Sequence, residues 1–383
     1  MAAALRGRQV RPVSRATRIA LAAAALALAA ASACLLTGCA NARYYAQAIR
    51  GHLALMHASR PVQDWLDDAA TPADLKTRLA LAQRIRAFAV AELALPDNAS
   101  YRRYSHLGRR AAVWNVAAAA PDALTLRQWC FAVAGCVGYR GYYDEGSARA
   151  LAAQLQADEG LEVTVYGVPA YSTLGWMNWA GGDPLLSTFI HYPEGELARM
   201  VFHELAHQVA YVGDDTMFNE SYATAVERLG VARWLAQADE AARREYAALH
   251  ARRQAFGALS RHTRDALGAL YAQHQAGALD GHALATRKAQ AMARFRQDYA
   301  QLKADWAKAG TPFNGYDAWV NQANNAFFAI QAAYDELVPG FEALFAQGGG
   351  DWPRFHAAVR ELARQPREQR RQRLRALAGG VAP

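Results

Sequence analysis

Val201-Phe202-His203-Glu204-Leu205-Ala206-His207 is the stretch on which the fold turns. Its two histidines stand four residues apart, close to one turn of an α-helix, so both imidazoles leave the same face and can share one metal ion. Glu204 follows the first imidazole and falls beside a water on that ion, where it can act as general base. Zinc suits the donor set, and a catalytic zinc takes three protein ligands and keeps one position open. The third ligand is expected from Asn219-Glu220-Ser221-Tyr222-Ala223. The twelve residues between His207 and Glu220 leave room to finish the helix, turn at Gly213-Asp214-Asp215 and enter a second helix. Glu220 then faces back to the pair. The bland alternative is an ordinary amphipathic helix with two structural histidines.

Working outward, Leu197 to about Val212 is predicted helical, with Gly213 as its stop and Asp214 or Asp215 as the next cap. Upstream, Leu161, Val163 and Val165 alternate with polar neighbours, and Leu185 to Tyr192 is a second β-like run closed by Pro193. Further back, Thr71-Pro72-Ala73-Asp74 starts a helix carrying Leu75, Leu79, Ala82, Ile85, Ala89 and Leu93. The segment 96–145 is irregular and aromatic, as a cleft wall or a core would be. Downstream, Val231 to Ala309 is rich in Ala, Arg, Glu and Gln with periodic Leu and Phe, the pattern of a long helical hairpin. Residues 314–345 are again helical, and Arg364 to Arg373 is a basic tail. The fold class expected is α+β and mostly α-helical, with a small mixed or antiparallel sheet beside the His203 helix and a largely helical C-terminal half.

The chain has 383 residues, 53% hydrophobic, enough for one large core or two moderate ones. Its formal charge of +8 falls to +3 without Arg6, Arg8, Arg11, Arg15 and Arg18, so no nucleic-acid partner is expected. Those arginines precede an apolar stretch, Ile19 to Leu35, and then Leu36-Thr37-Gly38-Cys39. The stretch is slightly short for a membrane-spanning helix and reads as an export signal over 1–38, with an uncleaved anchor as the alternative. Cys34 leaves with that signal. Cys130 and Cys136 remain as a close pair in an exported chain, which reads as a local disulfide; a zinc pair would need partners that are missing. The mature part, 39–383, is expected as one metallopeptidase domain: 40–160 helical then aromatic, 161–230 the zinc core, and 231–383 helical.

Several of these blocks resemble known families. LTGC resembles the bacterial lipoprotein box, which implies a lipid on Cys39 and a bilayer partner. Ala40 in place of Asp implies the outer rather than the inner membrane. The HELAH and NESYA helices resemble the gluzincin metallopeptidases. Together with WCFAVAGCVGYRGYYDE and GWMNWAGGDPLLSTFIHYPEGELARMVFHELAHQ, they look like a family of bacterial lipoproteins described as predicted aminopeptidases. The resemblance implies a zincin-like fold, one zinc ion on His203, His207 and Glu220, and a peptide substrate in the periplasm. It also implies an edge strand at Leu186 to Tyr192 that pairs with the substrate backbone, and a downstream Tyr that stabilises the oxyanion. Tyr334 is the first choice for that role and Tyr316 the second. His191 sits at the end of the edge strand, either on substrate or as a structural histidine. Where aminopeptidases of this type carry Gly-x-Met-Glu-Asn, this chain has Gly175-Trp176-Met177-Asn178-Trp179. Asn178 thus replaces the acid that would grip a free amine. Asp183, Glu194 and Glu196 are the acids placed to substitute for it, and Asp214, Asp215 and Glu227 are possible acceptors from the zinc histidines.

The resulting reading is a zinc peptidase of the cell envelope, an aminopeptidase ahead of an endopeptidase, with Glu204 as base. An envelope-assembly lipoprotein that uses the same scaffold without catalysis is the alternative. Against it, a scaffold has no use for Glu204.

Overall fold

The structure is a computed structural model that describes residues 39–131, 135–170 and 172–379. The export signal over 1–38 and the side chain of Cys39 lie outside the described residues. The chain divides into two units, one up to Ala54 and one from Leu55 onward. The described part of the first belongs to helix α1 (Cys39–Ala58). Among the described residues no helix is long and apolar enough to cross a membrane.

The second unit begins with a short strand β1 (Arg60–Pro61) and helix α2 (Val62–Asp67), followed by α3 (Ala73–Leu93). Pro72 stands at the N-cap of α3 and Asp74 in its first turn, where the helix dipole favours an acid. Leu79, Ala82, Ile85, Ala89 and Leu93 are buried at helical spacing, as the sequence pattern predicts. The aromatic segment after it folds into short strands: β2 (Arg103–Ser105), β3 (Val113–Ala119), β4 (Trp129–Phe131), β5 (Gly135–Val137) and β6 (Arg140–Tyr142). Cys130 and Cys136 lie opposite each other in the β4–β5 hairpin and are joined as a disulfide.

Helix α4 (Glu145–Glu159) is capped by Asp144, whose carboxylate accepts from the Ser147 N–H at 2.7 Å. It ends at Gly160 in the left-handed region and leads into β7 (Glu162–Val168). β7 pairs antiparallel with β3 along its whole length, and the sheet order is β6-β3-β7. The central strand β3, VWNVAAA, is buried at every position because helices cover both its faces.

The second predicted strand is corrected by the structure. Only β8 (Leu185–Leu186) is extended, running parallel to β2. The chain then turns, with the N–H groups of Phe189 and Ile190 both on the Leu186 carbonyl at 3.2 and 3.0 Å. Arg78 of α3 takes the carbonyls of Ile190 and Tyr192. Leu185, Leu186, Phe189 and Ile190 are buried as a plug in the main core. A short apolar run looks the same in a strand and in a buried turn, so alternation could not separate them. The edge strand expected at Leu186 to Tyr192 does not exist.

Helix α5 (Glu194–Ala206) carries the histidines and packs antiparallel on α6 (Thr216–Leu235). Gly230 of α6 lies against Phe202 of α5. A Cβ there would stand 2.9 Å from the Phe202 ring and 2.7 Å from Leu93, which only glycine avoids. The predicted helix to Val212 is also corrected: α5 stops at Ala206, and the backbone continues through tight turns. Asn219 holds these turns, donating to the Val212 carbonyl at 2.7 Å and accepting from the Val212 N–H at 2.8 Å.

The C-terminal half is helical. α7 (Glu240–Gln275) and α8 (Gly281–Lys308) form the expected hairpin, capped by Asp239 and Asp280. With α9 (Asp317–Asn321) and α10 (Asn325–Asp335) they enclose a second core of Phe256, Leu267, Phe295, Phe327 and Phe328. α11 (Val338–Gln347), α12 (Trp352–Ala363) and α13 (Arg367–Gly379) close the main core around α6. The protein is therefore mostly helical with small sheets, an α+β arrangement.

Candidate metal centre

Helices α5 and α6 bring three donor atoms together. His203 Nε2 lies 3.2 Å from His207 Nε2 and 3.3 Å from Glu220 Oε2, and His207 Nε2 lies 3.7 Å from that oxygen. Ligands about 2.0–2.1 Å from a tetrahedral zinc stand about 3.3 Å from one another. The triangle thus has the size of one zinc site, and His203, His207 and Glu220 fit the ion by spacing and by donor chemistry.

Their protonation follows from the partners. His203 Nδ1 faces Glu227 Oε2 at 2.9 Å. A carboxylate only accepts, so Nδ1 carries the proton and Nε2 turns its lone pair to the centre, as metal ligation requires. Burial alone would strip the proton from the imidazole. The carboxylates of Glu220 and Glu227 more than reverse this and lift His203 to about 10. Burial likewise pushes both carboxylates up, but the imidazoles beside Glu220, and Arg199 with His203 beside Glu227, hold each at about 2. His207 Nδ1 is buried without a hydrogen-bond partner, so the second imidazole is held less firmly than the first.

Behind Glu227 runs a chain of charges. Arg199 donates to Glu227 Oε1 at 2.9 Å and to Glu196 Oε2 at 3.0 Å, and Arg253 of α7 donates to Glu196 Oε1 at 2.6 Å. Of the three acids proposed as acceptors, Glu227 is the one that meets a histidine of the triangle. Asp215 takes the other role the sequence offered it: it caps α6 at Phe218 and binds Arg370 and Arg371. Asp214 is corrected, since it pairs with Arg370 at 3.0 Å.

A cavity of about 570 Å³ opens beside the centre, between β7, α5, α6, α7 and α10. His203, Glu204 and Tyr334 line one end. The Tyr334 ring lies over the His203 ring, with centroids 6.4 Å apart and planes 23° from parallel. Burial, then the carboxylates of Glu220 and Glu204, raise the Tyr334 hydroxyl well above its usual range, so it keeps its proton. Tyr316 also lines the cavity and stacks on Phe256 at 4.1 Å, against the second core.

The remaining predicted residues lie elsewhere. Asn178 accepts from Ser100 Oγ at 3.1 Å in a polar cluster outside the cavity lining, and His191 is exposed on the turn after β8. Asp183 is 1% exposed and accepts from the Thr173 N–H at 3.0 Å. Glu194 accepts from the Trp234 indole at 3.0 Å, and Glu196 holds the two arginines. None of these three acids lines the cavity. What sequence reasoning missed is the wall. Tyr166 to Ala170, at the end of outer strand β7, line the cavity together with His203 and Glu204, and Arg228 of α6 and Arg253 and Arg261 of α7 complete the lining. The signal for Arg199 was available: it stands one helical turn before His203.

Comparison with curated proteins and with solved structures returns no match. A family model does match, over residues 43–374, and the chain belongs to the family described as "Putative aminopeptidase".

Proposed function

We propose that this protein is a zinc peptidase of the gluzincin type, with a zincin-like fold, and an aminopeptidase before an endopeptidase. The observation that carries the reading is the triangle of His203, His207 and Glu220 beside a cavity that also receives Glu204 and Tyr334. Zinc held there would polarise a peptide carbonyl and lower the pKa of a water to roughly 7. Glu204 then takes the proton of the attacking water on its carboxylate and returns it to the departing amine. The Tyr334 hydroxyl donates to the carbonyl oxygen as negative charge grows on it. The outer edge of β7, with Gly167 and Val168 at the cavity, is where an extended peptide would pair its backbone.

The proposal extends to the LTGC start: a lipid on Cys39, an outer-membrane anchor, and a single periplasm-facing peptidase domain after the signal.

The experiment is a metal and activity comparison of wild type and Glu204→Gln. Both should bind one zinc per chain. Wild type should cleave a free-amine peptide, and Glu204→Gln should lose about 10²–10⁴-fold in rate. Stoichiometric zinc without turnover of free-amine or N-blocked peptides would sink the reading and leave the non-catalytic scaffold.

A further inference from the structure

We propose that the wall of the cavity facing the metal site binds a carboxylate of the substrate, through Arg261, Arg228 and Arg253. This rests on the peptidase reading of the metal end. Helix α7 presents His250, Arg253, Gln254, Gly257 and Arg261 to the cavity, a single helical face. Arg228 joins them from α6.

The bonding of the three guanidiniums is uneven. Each carries about five N–H donors in a planar fork shaped for a carboxylate. Arg253 bonds Glu196 at 2.6 Å, and Arg228 bonds Asp335 at 3.0 Å. Arg261 approaches Asp335 only to 3.7 Å, beyond a hydrogen bond. Its side chain is 48% exposed. Every lining acid apart from Glu204 is engaged: Glu227 by His203 and Arg199, Asp335 by Arg228. Positive donors are left over at this wall, while spare negative charge is left only at the Glu204 end. The field there agrees. Burial first, and then Arg253 and Arg228, hold His250 below its ordinary value, so it adds a neutral hydrogen-bonding edge.

Geometry sets the substrate length. Arg228 is eight residues after Glu220 on one helix, about 12 Å along the axis at 1.5 Å per residue. An extended peptide covers that in about three to four residues at 3.4 Å each. The carboxylate therefore belongs within a few residues of the cleaved bond, as the C-terminus of a short peptide or as an acidic side chain. Phe256, Tyr316 and Trp319 supply apolar walls between the two ends.

The test uses the zinc-loaded full chain and three peptides: tetra-alanine as free acid, tetra-alanine amide, and the amide with its third residue changed to Glu. Turnover is measured as kcat/KM, and binding by calorimetry on Glu204→Gln. At least one acid-bearing peptide should exceed the neutral amide about tenfold in both readouts. The preference should vanish in Arg261→Gln, return in part in Arg261→Lys, and leave thermal unfolding unchanged. A preference for the free acid alone identifies the chain end, and one for the Glu amide alone identifies the side chain. Equal turnover and binding of all three peptides overturns this proposal and leaves the peptidase reading intact. Charge-dependent binding without any turnover keeps the carboxylate site and ends the peptidase reading. Neither binding preference nor turnover ends both.

Discussion

At the scale of single residues, Glu227 matters more than its place in the sequence suggests. It supplies no atom to the triangle of donors, yet it fixes which nitrogen of His203 is free. Its second oxygen is held by Arg199, so the carboxylate cannot swing away. Glu227→Gln keeps the volume and removes the charge that fixes the tautomer. It should lower metal affinity about 10–100-fold, read by competition with a chromophoric chelator. An unchanged affinity would show that His203 needs no orienting acid. Tyr334→Phe tests a different role. It removes one donor and no ligand, so zinc content should stay constant while kcat falls by about 10²–10³. An equal loss of zinc would instead mark Tyr334 as packing for His203.

At the scale of elements, α6 is clamped from its far side by α12. His356 is 2% exposed and bonds the Leu93 carbonyl through Nε2 and the Tyr222 hydroxyl through Nδ1, each at 2.8 Å. The carbonyl only accepts, so the proton is on Nε2, and Tyr222 donates to a neutral ring. Burial is the main cause that pushes this histidine down to about 4. The unfolded chain therefore takes up a proton between pH 6.5 and about 4 that the folded chain refuses. Its cost is absent above pH 6.5 and grows as pH falls towards 4, where it reaches about 3 kcal/mol. Urea unfolding of wild type and His356→Gln across that range should show the wild type losing stability with acid more steeply than the variant. Parallel curves would contradict a neutral buried ring.

At the scale of the whole molecule, the end of the chain is tied to the start of the Glu220 helix. Asp215 is fully buried against Arg370, whose side chain is 3% exposed, and Arg371. Burial raises the Asp215 carboxyl, but the two guanidiniums outweigh it and hold the group below its usual range. Asp215→Asn retains a capping oxygen for α6 but leaves a buried cation without its partner. It should cost about 3–5 kcal/mol, visible as a large fall in melting temperature. A loss below about 1 kcal/mol would mean that solvent reaches the arginines. Part of the basic tail predicted over 364–373 therefore belongs to the packing that presents Glu220.

Much of the centre was legible before any coordinates, and for a local reason. His203 and His207 are one helical turn apart, so their convergence follows from the period of the helix. Glu220 follows from a turn just long enough to reverse direction, and Asp215 from the chemistry of a cap. Helical patterns with clear periodicity, such as Ala73–Leu93 and the hairpin from Glu240 to Lys308, were readable in the same way. Other features depended on contacts between residues far apart in the chain. Leu185 to Tyr192 is apolar enough for a strand, yet it turns because Arg78 and the main core take its backbone and side chains. β7 becomes the outer strand by the cavity only because β3 covers its other edge. The arginine wall forms where α7, with Arg253 fifty residues after His203, folds back on α5. Periodicity encodes which way a side chain leaves its own helix; which other helix it then meets is settled by the packing of the core.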